Sequence, residues 1–381
     1  MNLFVEYHLI QNFAPSNLNR DDTGAPKDAV FGGYRRARVS SQCFKRAVRL
    51  QAAEHNLLAP EARGVRTKKL LSLLEATLKS DSRPEPAPRI AIALAAAGLK
   101  LDDKRETEYL LFLGQREIDA FAALIDTHWD DLAPPVATDE KKKTKKEAKA
   151  AAPEEVVKKA KKLLDGGKAV DVALFGRMLA DMPEANQDAA CQVAHALSTH
   201  RVEREFDYFT AVDDKGGADE SGAGMIGQIE FNSATFYRYA ALDANKLLSN
   251  LQNDKELALS GLAAFTDAFA RAIPTGKQNT FAAHNPPSFI GVVIRHASPL
   301  NLANAFEKPV LPRHDQELTA QSVAALAKYE RQLGAVYGDS RDAWAVLDLT
   351  GAWPADQGKI IARLSDLGDW VQAEVTARLG G

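Results

Sequence analysis

The sequence has few of the residues that build covalent and metal frameworks. It contains only two cysteines in 381 residues, Cys43 and Cys191, and no Cys/His cluster with the spacing of a zinc site. Its eight histidines are scattered, and each is more typical of a structural than of a catalytic role. This composition excludes a disulfide-rich scaffold and predicts neither a metal ion nor a cofactor.

Long apolar runs and export signals are also missing. No run of about 18 apolar residues occurs, so a membrane span is not expected. The first residues, MNLFVEYHLIQNF, lack the basic region and the cleavage site of a signal peptide. We therefore expect a cytoplasmic protein whose two cysteines are reduced and buried. A phosphate-binding glycine fingerprint, a nucleophile elbow and a metal motif are absent too, which argues against a free-standing metabolic enzyme.

Positive charge is concentrated in one stretch, from Asn17 to Arg49. Within it, eight Lys or Arg stand against three Asp, a formal balance of +5, whereas the whole chain carries −3. A local excess of this kind in a mildly acidic protein is typical of a surface that binds a polyanion.

The second half of this stretch has a helical pattern that begins at Ser40 or Ser41, and either serine suits an N-cap. Arg36 and Arg38 lead directly into the helix start, where free N–H groups favour phosphate. Residues at i, i+3, i+4 and i+7 share one side of a helix, so a basic face lies opposite an apolar face. The alternative is an ordinary amphipathic helix with a solvated basic face. The basic face comprises Gln42, Lys45, Arg46 and Arg49, and the apolar face comprises Cys43, Phe44, Ala47 and Val48.

The first half is punctuated by Pro and Gly, which predicts a long loop with turns near 23–26 and 32–33. A loop of this length in a compact domain is usually functional or disordered. Adjacent carboxylates in such a loop offer a candidate for metal or acid–base chemistry, but more often they hydrogen-bond turns or pair with arginine. The carboxylates are Asp21 and Asp22, and the loop also carries Asn19, Arg20 and Lys27.

The basic stretch also resembles a known protein family. The string LNRDDTGAPKDAVFGGYRRARVSSQ at 18–42, running on into FKRA, resembles the signature of the backbone subunit of Cascade. Cascade is the type I-E CRISPR surveillance complex, and this subunit belongs to the CasC family of repeat-associated (RAMP) proteins. The similarity recurs, in family order, as GRM at 176–178, AHALSTHRVEREFDYFTAVDD at 194–214, EFNSATFYRYA at 230–240, GKQNTFAAHNP at 276–286 and LNLANAFEKPV at 300–310.

The order of predicted elements is β–α–(insert)–β–β–α–β, which is typical of a ferredoxin-like, RRM-related α+β domain. Strands are predicted at 3–13, 190–203, 229–239 and 289–294, and helices from Ser40 and at 256–273. No RRM aromatic motif occurs, so binding on the sheet face is not supported. The C-terminal part is read as helices at 319–334 and 357–378 around a short strand at 344–349, with no chemistry assigned.

The resemblance implies names for three parts. Residues 1–56, 189–200 and 235–381 would form an RRM-like palm. A large, mainly helical insert at 57–188 would form the fingers. An extended β-hairpin at 201–234 would form the thumb, which in the family folds over the guide RNA and displaces one base per subunit. By that match Phe209 and Thr210 sit against the displaced base and Met178 lies nearby, although the aromatic residues at the hairpin base are equally typical of a core.

A second basic element lies inside the insert. Residues 139–168 contain eleven Lys and six acids, again +5. Such a run is usually only solvated. In the family that the sequence resembles, lysines of the fingers hold duplex DNA. The resemblance therefore implies the same role for this basic region as a whole, without matching individual lysines. The lysines concerned are Lys141, Lys142, Lys143, Lys145, Lys146 and Lys149.

Two functions follow from these observations. The first is a non-catalytic, guide-RNA-binding backbone subunit of a type I-E Cascade complex in antiviral defence. Copies would line up head to tail on the CRISPR guide RNA and support its pairing with target DNA, together with other Cascade subunits and a separately recruited nuclease-helicase. The alternative is a guide-directed ribonuclease of the type III kind that uses Asp21 or Asp22. The predicted RNA-binding residues are Asn19, Arg20, Lys27, Arg38, Ser40, Gln42, Lys45, Arg46, Arg49, Met178, Phe209, Thr210 and Lys277.

Overall fold

The larger sheet is built around one long central strand, β1 (Phe4–Ser16). Our computed structural model describes residues 3–80, 83, 85–134, 152–179, 182–211 and 225–379. The chain divides into two units. The first comprises Met1–His55, Cys191–Asn245 and Leu262–Gly381, and the second comprises Asn56–Ala190 and Lys246–Gly261.

The first unit contains a mixed sheet with β1 inside it. The strand order is β12-β11-β10-β1-β9-β7-β3-β2, and β6 and β8 also pair with β9. Every pairing is antiparallel except that of β11 with β12. The remaining strands of this sheet are β2 (Asp28–Phe31), β3 (Tyr34–Val39), β6 (Cys191–Val193), β7 (Ala196–Ser198), β8 (Glu205–Ala211), β9 (Met225–Asp243), β10 (Phe289–Arg295), β11 (Ala343–Asp348) and β12 (Lys359–Ile360).

Helices cover both faces of this sheet, which explains why β1 is buried from Val5 to Gln11. On one face lie α1 (Ser41–Glu54) and α8 (Lys255–Arg271), and on the other lies α10 (Leu318–Tyr337). Arg238 of β9 is buried between the rings of Phe44 from α1 and Phe269 from α8, with its guanidinium carbon 4.2 and 4.6 Å from the ring centres. Burial lowers the pKa of Arg238 to about 9. The neighbouring Tyr237 and Tyr239 point to the opposite face and pack with the core residues of α10.

The main difference from the predicted loop is a β-hairpin whose turn is formed by two glycines. The turn predicted near 32–33 is present, but residues 28–31 and 34–39 pair as a β-hairpin instead of forming a loop. Gly32 and Gly33 have φ angles of 58° and 83°, the left-handed pair that a tight two-residue hairpin turn requires. The loop is therefore confined to residues 17–27.

Further differences concern strand and helix limits. The strand predicted over 190–203 is split into β6 and β7. Its register against β9 shifts by one residue between the pairs Val193↔Ala240 and Leu197↔Tyr237, which is typical of a β-bulge. The last helix, α11 (Leu364–Arg378), begins seven residues later than predicted. The predicted strands around 3–13, 229–239 and 289–294 and the helices from Ser40 and at 256–273 are confirmed.

The second unit is a helical body with one small sheet. Its strands β4 (Gly64–Thr67) and β5 (Leu111–Gly114) pair antiparallel. The buried Glu117–Arg177 ion pair, with 2.9 Å between Oε1 and Nη1, joins helix α4 (Gln115–Thr127) to the segment after helix α6 (Val170–Phe175). In the described part of the chain, no helix is long and apolar enough to cross a membrane. The helices of this unit are α2 (Leu70–Leu78), α3 (Ala87–Ala97), α4 (Gln115–Thr127), α5 (Glu154–Lys162), α6 (Val170–Phe175), most of α7 (Ala244–Asn250) and the first part of α8; a short α9 (Gln278–Phe281) lies in the first unit.

Candidate nucleic-acid interface

Side-chain amides shape the loop 17–27. Asn17 is fully buried, and its Nδ2 donates to the carbonyl oxygens of Gly24 and Glu230, each at 2.9 Å. One bond closes the loop on itself and the other ties it to β9. Because the buried amide bonds two backbone acceptors within the protein, the loop has a fixed shape before any ligand binds.

The same loop is joined to the start of α1. Oδ1 of Asn19 accepts from the backbone N–H of Ser40 at 2.9 Å, and Oγ of Ser40 accepts from that of Cys43 at 3.3 Å. Ser40 is therefore the N-cap, as the sequence predicts. Two predicted RNA-binding side chains, Asn19 and Ser40, thus have their oxygens engaged in positioning α1.

Two backbone bonds place Lys27 and Arg38 side by side. The N–H of Lys27 donates to Asn19 O and the N–H of Arg38 donates to Lys27 O, both at 2.9 Å. The Arg38 guanidinium donates from Nε to Asp28 O at 3.0 Å and lies with Nη1 3.1 Å from Nδ1 of His195. His195 is in the bulge between β6 and β7. Its desolvation, together with the charges of Arg38 and Lys27, lowers its pKa, so the ring is neutral and Nδ1 accepts the bond.

The face of α1 that the sequence predicts to be basic points away from the core. Gln42 and Arg46 are exposed, while Lys45 and Arg49 are half-buried. Nη1 of Arg46 lies 3.5 Å from Oγ1 of Thr275. Beneath this face, burial raises the pKa of the Cys43 thiol, while the charges of Arg46 and Lys27 oppose the rise. Both cations therefore lie near the first turn of α1.

Lys277 reaches the same region through its neighbour. A Cβ on Gly276 would overlap the carbonyl oxygen of Leu18, so only glycine allows this segment to pack against the loop 17–27. Gly276 therefore contacts the protein backbone of this loop. Lys277 follows with a φ of 51° and is half-buried. Phe281, four residues on, packs against Phe231 of β9 with 5.6 Å between ring centres.

Arg36 does not belong to this surface. It is fully buried, and its guanidinium donates to the carbonyl oxygens of Ser198, Phe306 and Glu307 at 2.9, 2.7 and 3.2 Å. The expectation that Arg36 helps to receive an anion at the start of α1 is therefore wrong. The adjacent Arg35 is exposed, whereas the Arg36 guanidinium lies among these carbonyl oxygens.

The Asp21 carboxylate accepts hydrogen bonds from residues of its own turn. Its Oδ1 accepts from the N–H and Oγ1 of Thr23 and from the N–H of Ala25, at 2.9, 2.7 and 3.1 Å. These bonds, the Thr23 hydroxyl first, lower the pKa of Asp21. Among the described residues, no group of three His, Cys, Asp or Glu side chains is placed to hold a metal ion. Asp22 is exposed.

The comparison with known proteins decides the family. A model of the CT1975-like protein family matches residues 5–373. The chain belongs to this family. Two solved structures are also similar over nearly the whole length. A chain titled CRISPR RNA-guided surveillance complex, pre-nicking, is 31% identical with a TM-score of 0.81, and a chain titled CRISPR RNA-guided surveillance complex is 28% identical with a TM-score of 0.72. Each match covers 97% of this chain and 99% of the other.

These matches confirm the recognition of a Cascade backbone subunit from the sequence. A search of curated proteins found no match.

The other predicted site residues of this CT1975-like protein lie elsewhere. Phe209 and Thr210 are on β8, and the ring of Phe209 covers Gly227 of the paired strand so closely that a Cβ there would overlap it. Met178 belongs to the second unit, where its side chain is 82% exposed. Arg20 is exposed in the loop and forms a backbone bridge with Pro26. Lysines 141, 142, 143, 145, 146 and 149 lie outside the described residues.

The interface contains residues that the sequence did not single out. His195 is 157 positions from Arg38, and no sequence pattern links the two. Arg204 bridges Asp28 and Glu230 with contacts of 3.1 Å each, which ties the base of the β8–β9 hairpin to β2. The position of Arg204 between the acids Glu203 and Glu205 was the available sequence signal for an ion-paired residue.

Proposed function

We propose that this chain is a cytoplasmic, non-catalytic, guide-RNA-binding backbone subunit of a type I-E Cascade complex. Membership of the CT1975-like protein family supports the general role. The observation that carries the RNA assignment is the gathering of Lys27, Arg38 and Arg46 around the first turn of α1, in a chain whose net charge is −3.

The proposed contact is with the RNA backbone. Cations at a helix N-terminus suit phosphate oxygens, and such contacts position a strand without reading its sequence. Lys277 and Arg20 flank the same loop and would extend the path of the strand. Base pairing between the guide and the target would then carry the sequence specificity. The loop 17–27 is held from behind by Asn17 and Asn19, so its cations need little ordering when RNA binds.

We propose further that the central four strands form a ferredoxin-like, RRM-related palm. The strand order β10-β1-β9-β7 supports this, with α1 between β1 and β7 along the chain and α8 between β9 and β10. In this proposal residues 57–188 are the fingers, with Met178 near the RNA and the lysines at 141–149 gripping duplex target DNA. Residues 201–234 are the thumb, with Phe209 and Thr210 against a displaced base.

The proposed assembly is a head-to-tail row of copies on one guide RNA, with other Cascade subunits at its ends and a nuclease-helicase recruited separately. A single strand offers equivalent positions related by translation and rotation, so a heterologous contact repeats along it without closing into a ring.

The test is retention of guide RNA by the complex purified with its partner subunits. We expect Lys27→Ala/Arg46→Ala to lose most of the bound RNA at moderate salt, because two phosphate contacts are removed. The matched control is Lys359→Ala/Arg363→Ala, which removes two exposed cations near β12 and should retain RNA as the wild type does. Equal RNA retention by both double variants across a salt series would contradict the assignment.

A further inference from the structure

A second positively charged surface lies on the opposite side of the sheet from α1. An open groove of about 660 Å³ runs between the segment 304–316 and helix α10. Three cations line it, namely Lys308, Arg313 and Lys328, and no Asp or Glu is among its lining residues. Within the described residues none of the three cations has an ion-pair partner. A concave surface lined by three cations and by no acid favours an anionic occupant.

The floor of the groove is aliphatic. Leu311 lines it with 67% of its side chain exposed, beside Val310 and Ala324. Tyr329 contributes one aromatic ring, but it packs against the apolar core under α10 and is half-buried. Sites for single-stranded nucleic acid present aromatic faces on which bases stack, whereas exposed aliphatic side chains beside cations suit a segment with both carboxylates and apolar side chains.

The dimensions of the groove suit a short extended peptide. Its helical wall runs from Gln321 to Gln332, eleven steps of about 1.5 Å, or roughly 17 Å. An extended chain advances about 3.3 Å per residue, so about five residues fill that length. Side-chain amides of Asn304 and Gln316 along the other wall provide donors and acceptors for a peptide backbone.

We propose that this groove, lined by Lys308, Leu311, Arg313 and Lys328, docks an extended acidic segment of a partner protein whose carboxylates alternate with apolar side chains. The carboxylates pair with the three cations, and an apolar side chain covers Leu311. This surface acts independently of the RNA contact at α1, since the two sets of residues lie on opposite faces of the sheet.

The experiment measures binding of labelled peptides to the purified full chain by fluorescence anisotropy. The probe is an eight-residue peptide with blocked ends that alternates glutamate and leucine. One comparison peptide alternates glutamate and serine, another alternates lysine and leucine, and an eight-nucleotide oligouridine tests nucleic acid. We expect the first peptide to bind most tightly, the serine peptide to bind at least several-fold more weakly, and the lysine peptide not to bind.

Variants then locate the binding. Lys308→Glu/Lys328→Glu should weaken the first peptide about tenfold or more, because attraction becomes repulsion. Leu311→Ser should weaken it without changing its salt dependence. Lys359→Glu/Arg363→Glu makes the same change in net charge away from the groove and should leave the affinity unchanged. Circular dichroism melting checks that each variant is folded, and all groove variants should retain guide RNA as the wild type does.

Three outcomes overturn the proposal. Equal peptide affinity of the wild type and the Lys308→Glu/Lys328→Glu variant would place binding elsewhere. Tighter binding of oligouridine than of any peptide, lost in that variant, would make the groove a nucleic-acid site. Self-association of the free chain that disappears in that variant would make a second copy the occupant.

Discussion

At the residue scale, the proposed RNA contact would couple RNA binding to the protonation of His195. Desolvation and the charges of Arg38 and Lys27 lower its pKa in the free protein. A phosphate beside these cations offsets their charge and stabilises the imidazolium, so the pKa rises when RNA binds. A group whose pKa is higher in the complex takes up a proton on binding, and the affinity then increases as the pH falls through that window.

We therefore predict that the affinity for single-stranded RNA increases between pH 7.5 and pH 5.5, by up to about tenfold for each unit by which the pKa rises. His195→Gln keeps an acceptor for Arg38 and should remove this pH dependence while binding RNA comparably at pH 7.5. His314→Gln changes an exposed histidine away from α1 and should keep the pH dependence. Anisotropy titrations at constant salt measure both. An unchanged pH profile in His195→Gln would show that phosphate does not lie beside His195.

Asp21 is also a residue-scale case, because its environment bears on the ribonuclease alternative. Oδ1 accepts three hydrogen bonds within its own turn, so the carboxylate is committed to loop structure. We predict that guide-loaded complex leaves complementary RNA intact in the presence of Mg²⁺. Asp21→Ala removes these three bonds and should lower the melting temperature of the protein, whereas Asp22→Ala should leave it unchanged. Evenly spaced cuts that vanish in either variant would make the subunit a nuclease and contradict the non-catalytic assignment.

At the element scale, two contacts join the β2–β3 hairpin to the segment 302–307. The buried Arg36 guanidinium caps the carbonyl oxygens of Phe306 and Glu307, and Gly32 at the turn contacts Glu307 without room for a Cβ. Gly33, next in the same turn, has open space around it. The two glycines therefore differ in packing but share a left-handed backbone.

This difference gives a matched pair of substitutions. Gly33→Ala should cost about 1 kcal/mol of unfolding free energy, from the left-handed backbone alone. Gly32→Ala has the same backbone cost and must also displace the Glu307 backbone, so we expect a loss at least about 1 kcal/mol larger. Urea denaturation followed by circular dichroism measures both. Equal losses would mean that the hairpin does not rest on Glu307.

The elements also show which parts of the structure local sequence could supply. The helix that begins at Ser40, its cap and its buried residues follow from the local helical pattern, whereas β8 (Glu205–Ala211) lies beyond the strand predicted over 190–203. Pro and Gly punctuation predicts a loop over 28–39, but Gly32 and Gly33 form the two-residue turn of a β-hairpin instead. The burial of the charged Arg36 is explained only by acceptors that are distant in the sequence, the carbonyl oxygens of Ser198, Phe306 and Glu307.

The candidate site was predictable in its local part and unpredictable in its distant part. Cations on α1 and in the loop were evident from charge and spacing. The residues that set their environment include His195 and Gly276, which the fold brings to the same place from distant parts of the chain. No local sequence pattern predicts these contacts. The split of the predicted strand into β6 and β7 has the same origin, since a one-residue register shift depends on the neighbouring strand.

At the scale of the whole molecule, the proposed role makes the number of copies depend on the RNA. A closed ring fixes its own copy number, whereas a head-to-tail row ends only where the strand ends. Each copy holds a set length of backbone through the cations near α1, so adding that length of guide creates room for one further subunit. The mass should therefore change in steps and not continuously.

We predict that complexes assembled on progressively longer guides, with partner subunits present, gain mass in increments of one 41.4 kDa chain plus the added RNA. Native mass spectrometry resolves such steps. Lys359→Ala/Arg363→Ala should give the same ladder as the wild type, because these residues lie near β12, away from the proposed RNA contact. Lys27→Ala/Arg46→Ala should shorten the ladder or abolish it, since each copy then holds its stretch of RNA less firmly. A single mass that is independent of guide length would mean that protein contacts alone set the copy number. The RNA would then bind the assembly without determining its size.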